Sequence, residues 1–333
     1  MQKVLIIQTA FIGDVVLATA MLESLHQAFP HAAIDILVRK GNESLFANHP
    51  FVNQVLVWQK QQHKYKHWWT ILQQIRQQQY DAVINLQRYA ATGLWTVFSK
   101  AKQTIGFNKN PLSIGFSKVV QHEMGSSTGM HEIERNQLLL AAWPVCGLQM
   151  PKLYPSEADF AAVAGYKLVP YICIAPSSVW MTKQFPPEKW VALLQQLPKQ
   201  LVVYIMGGSN DAALCNDILE KSQHPHAHNL AGKCSFLQAA ALMKDAVMNY
   251  VNDSAPMHFC SAMNAPVAAI YCSTIPAFGY GPLSQKSFVV QVNQALACRP
   301  CGLHGKAQCP EHHFDCGYKI EIAQLMRCLP ASN

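Results

Sequence analysis

The feature that most restricts this chain is a change of hydrophobic period that recurs along its length. Short apolar runs at residues 4–8, 33–38, 54–58 and 82–86 have the length of buried strands. Between the first two, Val15, Leu22, Leu25 and Phe29 recur at helical spacing up to Pro30. A glutamine-rich helix is predicted around 69–79, and another over 132–142. Strands alternating with helices build a parallel sheet, because parallel neighbours need a long crossover between them.

Pro144, Gly147, Pro151 and Pro155 then interrupt the pattern as an interdomain break. The alternation restarts with a strand at 171–175, a helix at 187–197 with Pro187 in its first turn, and a strand at 201–206 ending in Gly207-Gly208. Helices at 211–221 and 236–244, a strand at 246–251, a helix at 256–263 and a strand at 267–271 follow, and 320–329 reads as a terminal helix. The expectation is two α/β domains, 1–150 and 151–333, with the last helix free to pack back on the first. A length of 333 residues suits two domains. Two such domains facing each other make a cleft. In open parallel sheets ligands bind beyond the carboxyl ends of the strands, so the residues just after strands are the candidates.

Composition removes several classes. Half the residues are hydrophobic, which excludes a mainly disordered chain. The 26 basic against 19 acidic residues give +7, a mild excess that suits anionic small molecules or a membrane surface. It lacks the clustered Lys and Arg of a nucleic-acid binder, so no nucleic-acid partner is expected. Gln8 and Asp14 interrupt the N-terminal apolar run too early for a signal peptide. The longest uncharged stretch, 259–285, is broken by Pro266, Pro276 and Pro282, so no membrane span is expected. A soluble, cytosolic protein follows.

Three nucleotide or metal motifs are missing: GxGxxG after the first strand, the Walker GxxxxGK[ST], and HExxH. After the first strand comes Ile12-Gly13-Asp14, where Asp14 is either a helix N-cap or a general base. After strand 171–175 comes a loop holding Ser177, Ser178 and Lys183, which is either a solvated loop or a set of donors for a pyrophosphate. After strand 246–251 comes Asn252-Asp253-Ser254-Ala255-Pro256-Met257-His258. There polar groups meet a helix N-terminus that favours anions; alternatively Asp253 only caps and His258 is a satisfied helix histidine.

In this order the motifs resemble those of the heptosyltransferases, glycosyltransferase family 9. The resemblance rests on Ile12-Gly13-Asp14, on Lys183 before Phe185-Pro186 and Trp190, on Gly207-Gly208, and on Asn252 to His258 with Pro266 downstream. His131 to Asn136 and Asn229-Leu230-Ala231-Gly232 are similar to that family too. The resemblance implies a GT-B architecture, an N-terminal acceptor-binding domain and a C-terminal nucleotide-sugar domain. It implies inverting transfer of heptose from an ADP-heptose to the lipid A–core oligosaccharide of lipopolysaccharide, without an obligatory metal. By position, Asp14 corresponds to the catalytic base. Ser177, Ser178 and Lys183 correspond to the phosphate loop, and Asp253, Ser254, Ala255 and His258 to a second phosphate and sugar loop. Gly207, Gly208, Ser209 and Asp211 fall near the ribose and base. Ala255 and Cys272 stand where the family commonly has Gly, and Asp211 is the nearest acid to the glycine turn.

Eleven cysteines are many for a cytosolic protein. Six, at 146, 173, 215, 234, 260 and 272, read as small core residues. Cys298, Cys301, Cys309 and Cys316 have zinc-ribbon-like spacing, with His304, His312 and His313 nearby. They are either a closed structural zinc site remote from the cleft, reduced thiols, or a disulfide pair. Trp68 and Trp69 with Lys64 and Lys66 are either an interfacial or acceptor surface or buried helix aromatics. Two rivals stand beside the transferase: a GT-B-like sugar-nucleotide epimerase, and a silent member that only binds nucleotide.

Overall fold

The structure is a computed structural model that describes residues 1–60, 64–123, 129–143 and 145–330; the side chain of Lys64, and Pro144 of the expected break, lie outside them. The chain divides into two compact units, Met1–Tyr154 and Pro155–Asn333. The boundary falls later than the expected 150/151. Residues after Gly147 are still stitched to the first helix: Gln149 N donates to Ser24 Oγ at 3.3 Å, Lys152 N to Thr19 Oγ1 at 2.9 Å, and Tyr154 OH to Glu23 Oε1 at 2.8 Å.

The first unit runs β1 (Lys3–Ile7), α1 (Ile12–Ala28), β2 (Ala33–Arg39), β3 (Val52–Trp58), α2 (Lys64–Gln77), β4 (Ala82–Asn85), α3 (Ala90–Phe98), β5 (Gln103–Phe107), β6 (Lys118–Val120) and α4 (Glu132–Gln137). Its six strands are all parallel, in the order β3-β2-β1-β4-β5-β6. Val4, Leu5, Ile6 and Ile7 are fully buried, as a strand covered on both faces requires. Helix α1 is buried from Val15 to Leu25, and its polar Thr19 and Ser24 return hydroxyl bonds to Val16 O and Ala20 O. The sequence did not announce α3, β5 or β6. Helix α3 opens at Tyr89 without a side-chain cap, and β6 has three residues. Trp68 packs inward, stacked on Trp95 at 5.8 Å, with its indole donating to Ala91 O; Trp69 on the next position is 58% exposed. Only one of the paired tryptophans is therefore a core residue.

The second unit runs α5 (Glu157–Val163), β7 (Tyr171–Ala175), α6 (Pro187–Gln196), β8 (Val202–Ile205), α7 (Ala212–Ser222), β9 (Ala227–Asn229), α8 (Phe236–Lys244), β10 (Met248–Asn252), α9 (Ala255–Met263), β11 (Val267–Tyr271), β12 (Ser287–Gln291), α10 (Asp315–Tyr318) and α11 (Ile322–Met326). Its parallel sheet has the order β12-β11-β10-β7-β8-β9, the same topology as the first. The final helix belongs to this unit's core. Leu325 is fully buried with Trp190 and Tyr250 in one cluster, and Tyr250 OH donates to Leu325 O at 3.1 Å. Among the described residues no helix is long and apolar enough to cross a membrane.

In each sheet the strand order reverses between the two central strands, β1 with β4 and β7 with β10. Such switch points leave a crevice at the carboxyl ends, where the following loops diverge to opposite faces. Every motif singled out after β1, β7 and β10 therefore sits at a switch point.

Candidate active site

In the first unit the switch point holds Asp14. The N-cap of α1 is Phe11, in extended conformation (φ −68°, ψ 162°), so Asp14 lies in the first helical turn and is not the cap. This removes the bland reading of that residue as a cap. The carboxylate sits at the positive end of the α1 dipole, which stabilises negative charge there. A buried amide network fixes the loop. Gln8 Nε2 donates to Asp14 O at 3.5 Å, Gln87 Nε2 donates to Gln8 Oε1, and Asn110 Nδ2 donates to Gln87 O at 2.9 Å. Asn42 Nδ2 reaches Ala10 O at 3.2 Å from the end of β2. Loops after β1, β2, β4 and β5 are thereby tied together around one acid.

Cations gather beside it. The Arg39 guanidinium stacks over the exposed Phe11 ring at 4.6 Å and feels the Asp14 charge. Lys109, after β5, is lowered from 10.5 to about 8, chiefly by burial; Glu132 opposes that shift, Arg135 and Arg88 add to it, and Asp14 opposes it. Arg135, fully buried, donates from Nε to Glu132 Oε2 at 2.9 Å and from Nη1 to Met130 O at 2.6 Å. The His131–Asn136 motif thus delivers a buried ion pair within electrostatic reach of Lys109. Sequence reading missed Arg39 and Lys109, the latter because β5, which positions it, was not recognised.

In the second unit the loop after β7 holds Ser177 and Ser178, both half-buried, and a short 3-10 turn at Met181–Lys183. Fully buried Asn252 at the end of β10 clamps this loop. Its Nδ2 donates to Pro176 O at 2.7 Å, and its Oδ1 accepts from Phe185 N at 2.9 Å. Lys183 Nζ lies 2.7 Å from Asp253 Oδ2, with side-chain exposures of 16% and 7%. Thr274 Oγ1 donates to the same Oδ2 at 2.6 Å. Asp253 is therefore a buried partner for a cation and not a cap. Ser254 is the N-cap of α9, with extended backbone and no side-chain capping bond. Ala255 begins α9 and needs no positive φ, so the missing glycine costs nothing there. His258 is buried in the next turn. The sequence thus brings Lys183, Asp253 and the N-terminus of α9 to one place: a cation, its carboxylate partner and the positive end of a helix dipole, which favours an anion.

The glycine turn after β8 is tight. Asp211 Oδ2 accepts from Gly208 N at 2.7 Å, and a Cβ on Gly207 would come within 2.8 Å of Asp211 Cβ. Ser209 and Asp211 bound a 3-10 turn, and Gly232 N donates to Gly207 O at 2.9 Å. Gly232 has φ +74°, and a Cβ there would meet Ser209 Cα at 2.9 Å. Gly232→Ala is therefore expected to destabilise the fold by about 1–2 kcal/mol through the left-handed backbone alone. A melting temperature within about one degree of wild type would contradict this.

The four clustered cysteines are free thiols within electrostatic reach of one another: Cys316 feels Cys301, Cys309 and Cys298, and Cys301 feels Cys298 and Cys309. Among the described residues no three His, Cys, Asp or Glu side chains stand where they could share a metal ion. Cys309 and Cys316 are built into the apolar core with Phe314 and Ile320, and burial pushes the Cys316 thiol up to about 12. Cys298 and Cys301 stay half-buried, with Cys298 Sγ 4.0 Å from His313 Nε2 and Cys301 Sγ donating to Cys298 O at 3.2 Å. All four thiols are free, so no disulfide joins them. Nor is the segment remote from the phosphate loop: Lys306 N donates to Thr182 Oγ1 at 2.7 Å, and Thr182 N to Lys306 O at 3.1 Å.

Comparison with known proteins agrees with this layout. The profile of Glycosyltransferase family 9 (heptosyltransferase) matches residues 68–312. Lipopolysaccharide heptosyltransferase 3 of Escherichia coli is 25% identical over 281 residues, covering 79% of this chain and 82% of that protein. The fold matches that of E. coli ADP-heptose lps heptosyltransferase II with a TM-score of 0.78 at 21% identity, over 98% of both chains. It matches the glycosyl transferase family 9 protein of Veillonella parvula DSM 2008 with a TM-score of 0.84 at 19% identity, over 98% of this chain and 96% of that one. The fold class is α/β with two Rossmann-like domains, as in the GT-B heptosyltransferases.

Proposed function

The chain belongs to glycosyltransferase family 9, the heptosyltransferases of lipopolysaccharide core synthesis, and on that premise we propose that it transfers heptose from ADP-heptose to the inner core with inversion. The observation that carries the reading is the meeting of Lys183 with the α9 N-terminus at the switch point of the second sheet. A leaving ADP gains negative charge on its pyrophosphate as the sugar bond breaks. Preorganised donors at that point stabilise the transition state more than the ground state. Lys183 and the positive end of the α9 dipole supply that positive charge, so the reaction proceeds without an obligatory metal. Ser177, Ser178, Ser254 and His258 line the loops that would hold the pyrophosphate and sugar, and Gly207 to Asp211 the turn that would meet the ribose. Asp14 takes the proton of the acceptor hydroxyl as the new bond forms. The first domain binds the lipid A–core acceptor and the second the nucleotide sugar.

The cations around Asp14 suit an acceptor rich in phosphate and acid sugars. The exposed Tyr65 and Trp69, with Lys66, suit contact with the cytoplasmic face of the inner membrane. The test is incubation with a panel of nucleotide sugars, with and without heptose-deficient lipopolysaccharide, read by mass spectrometry and with chelator in a parallel set. ADP-heptose should be consumed only when acceptor is present, chelator should change nothing, and the product should carry the opposite anomeric configuration. Conversion of a nucleotide sugar without acceptor would make the protein an epimerase. Binding of ADP without turnover of any sugar would make it a silent member.

Lys109 gives this reading a pH signature. Its folded pKa of about 8 lies below the unfolded 10.5, so stability rises slightly as pH climbs through that window, while the cation is lost from the site. The acceptor KM is expected to rise above about pH 8 in the wild type and to stay flat to about pH 9 in Lys109→Arg, whose guanidinium remains charged. A wild-type acceptor KM that does not change with pH would remove Lys109 from the acceptor site.

A further inference from the structure

The cysteine-rich segment carries one buried-side cation that the proposed reaction does not use. Arg299 spends its guanidinium on backbone and amide oxygens at the end of β11. Nε donates to Cys272 O at 2.6 Å, and Nη2 to Thr274 O at 2.7 Å, to Gln291 Oε1 at 2.9 Å and to Tyr271 O at 3.3 Å. All of these acceptors are neutral. A half-buried guanidinium given over to carbonyls is an expensive way to hold a turn, which points to the turn itself being what must be held.

That turn, Cys272-Ser273-Thr274, reaches the phosphate loop by two routes. Thr274 Oγ1 donates to Asp253 Oδ2, the same oxygen that Lys183 Nζ meets. Ser273 Oγ donates to Thr182 Oγ1 at 3.0 Å, and Ser273 N to Thr182 O at 3.2 Å. Ser273, Thr274 and Thr182 are all fully buried, so these bonds have no competing water. The loop segment after Arg299 closes the arrangement. Cys301 N donates to Ser273 O at 3.0 Å, Lys306 pairs with Thr182, and Gly305, at φ +75°, lies so close that a Cβ would fall 2.8 Å from Lys183 Cγ.

We propose that Arg299, acting through Thr274 and Asp253, is the positioning residue that sets the Lys183 ammonium for the donor pyrophosphate, and that residues 301–306 form the brace behind it. The proposal rests on the reading of Lys183 as a donor-phosphate ligand. The cysteine-rich segment is then part of the donor site's framework, and Arg299 itself touches no substrate.

The test measures ADP affinity by calorimetry on full-length, folded protein, together with donor KM, acceptor KM and kcat. Arg299→Gln should weaken ADP binding and raise donor KM by about 2- to 30-fold, with acceptor KM unchanged. Arg299→Lys, which keeps charge but loses the fork, should fall between. Gly305→Ala, which pushes on Lys183 from behind, should reproduce the donor defect if Arg299→Gln yields no soluble protein. In a Lys183→Ala background Arg299→Gln should cost no further ADP affinity, because the group it positions is gone. A lowered melting temperature with unchanged ADP affinity, or losses that add fully in the double variant, would reduce Arg299 to a structural residue. If Lys183→Ala alone leaves ADP binding intact, the donor-site reading fails first, and that outcome is separate from the loss of coupling.

Discussion

Asp14→Asn is expected to abolish transfer while leaving ADP affinity close to wild type. The substitution keeps the shape of the side chain and removes only its ability to take a proton. A base matters when the acceptor proton moves, so the loss falls on kcat, at roughly 10²–10⁴-fold. The competing structural role is smaller. Phe11, not Asp14, caps α1, and the Asp14 charge lies in the first turn at the positive end of the helix dipole. Such a charge contributes about 0.3–1 kcal/mol, which lowers the melting temperature modestly and cannot by itself cost a hundredfold in turnover. The two roles therefore separate cleanly in one experiment, with kinetics, ADP calorimetry and a thermal melt on the same preparation. Turnover within about threefold of wild type would remove the base and the mechanism built on it.

Lys183→Ala is expected to weaken ADP binding by about 10- to 150-fold, the value of about 1.5–3 kcal/mol for a hydrogen bond to a charged group. The structure adds a second effect that the sequence did not foresee. Lys183 neutralises Asp253, whose side chain is 7% exposed. Deleting the lysine leaves a buried carboxylate with the Thr274 hydroxyl in place of a cation. Breaking one side of a buried pair costs about 3–5 kcal/mol, so the variant should also melt well below wild type. Adding Asp253→Asn removes the stranded charge. The double variant should recover part of the lost stability while ADP affinity stays low. Unchanged ADP affinity in the single variant would take Lys183 out of the donor site.

Several parts of this arrangement were legible in the residues. The strand at 171–175, the helix at 236–244 and the strand at 267–271 coincide with β7, α8 and β11. Asp14, Lys183 and Asp253 each fall just past a strand that was recognised. Strands β5, β6, β9 and β12 were not. The outer strands β6 and β9 have three residues each, and the outer strand β12 exposes Phe288 and Val289, so none shows the continuous apolar run of a central strand. Lys109 was lost with β5.

What the sequence determined by itself is the double βαβ pattern and the list of polar residues left at strand ends. Both are local: a strand or helix records in its own period which faces are buried, and the residue after it inherits a known position. What only the tertiary structure decided is which of those residues meet. Lys183 finds Asp253 because β7 and β10 are adjacent in the sheet while 70 or so residues apart in the chain. Thr182 finds Lys306 across 124 residues, and Arg299 finds Cys272 across 27. Such pairings are products of crossover topology and close packing, and no local period carries them. The same packing sends Cys309 and Cys316 into the apolar core and sets the backbone beside them against the phosphate loop.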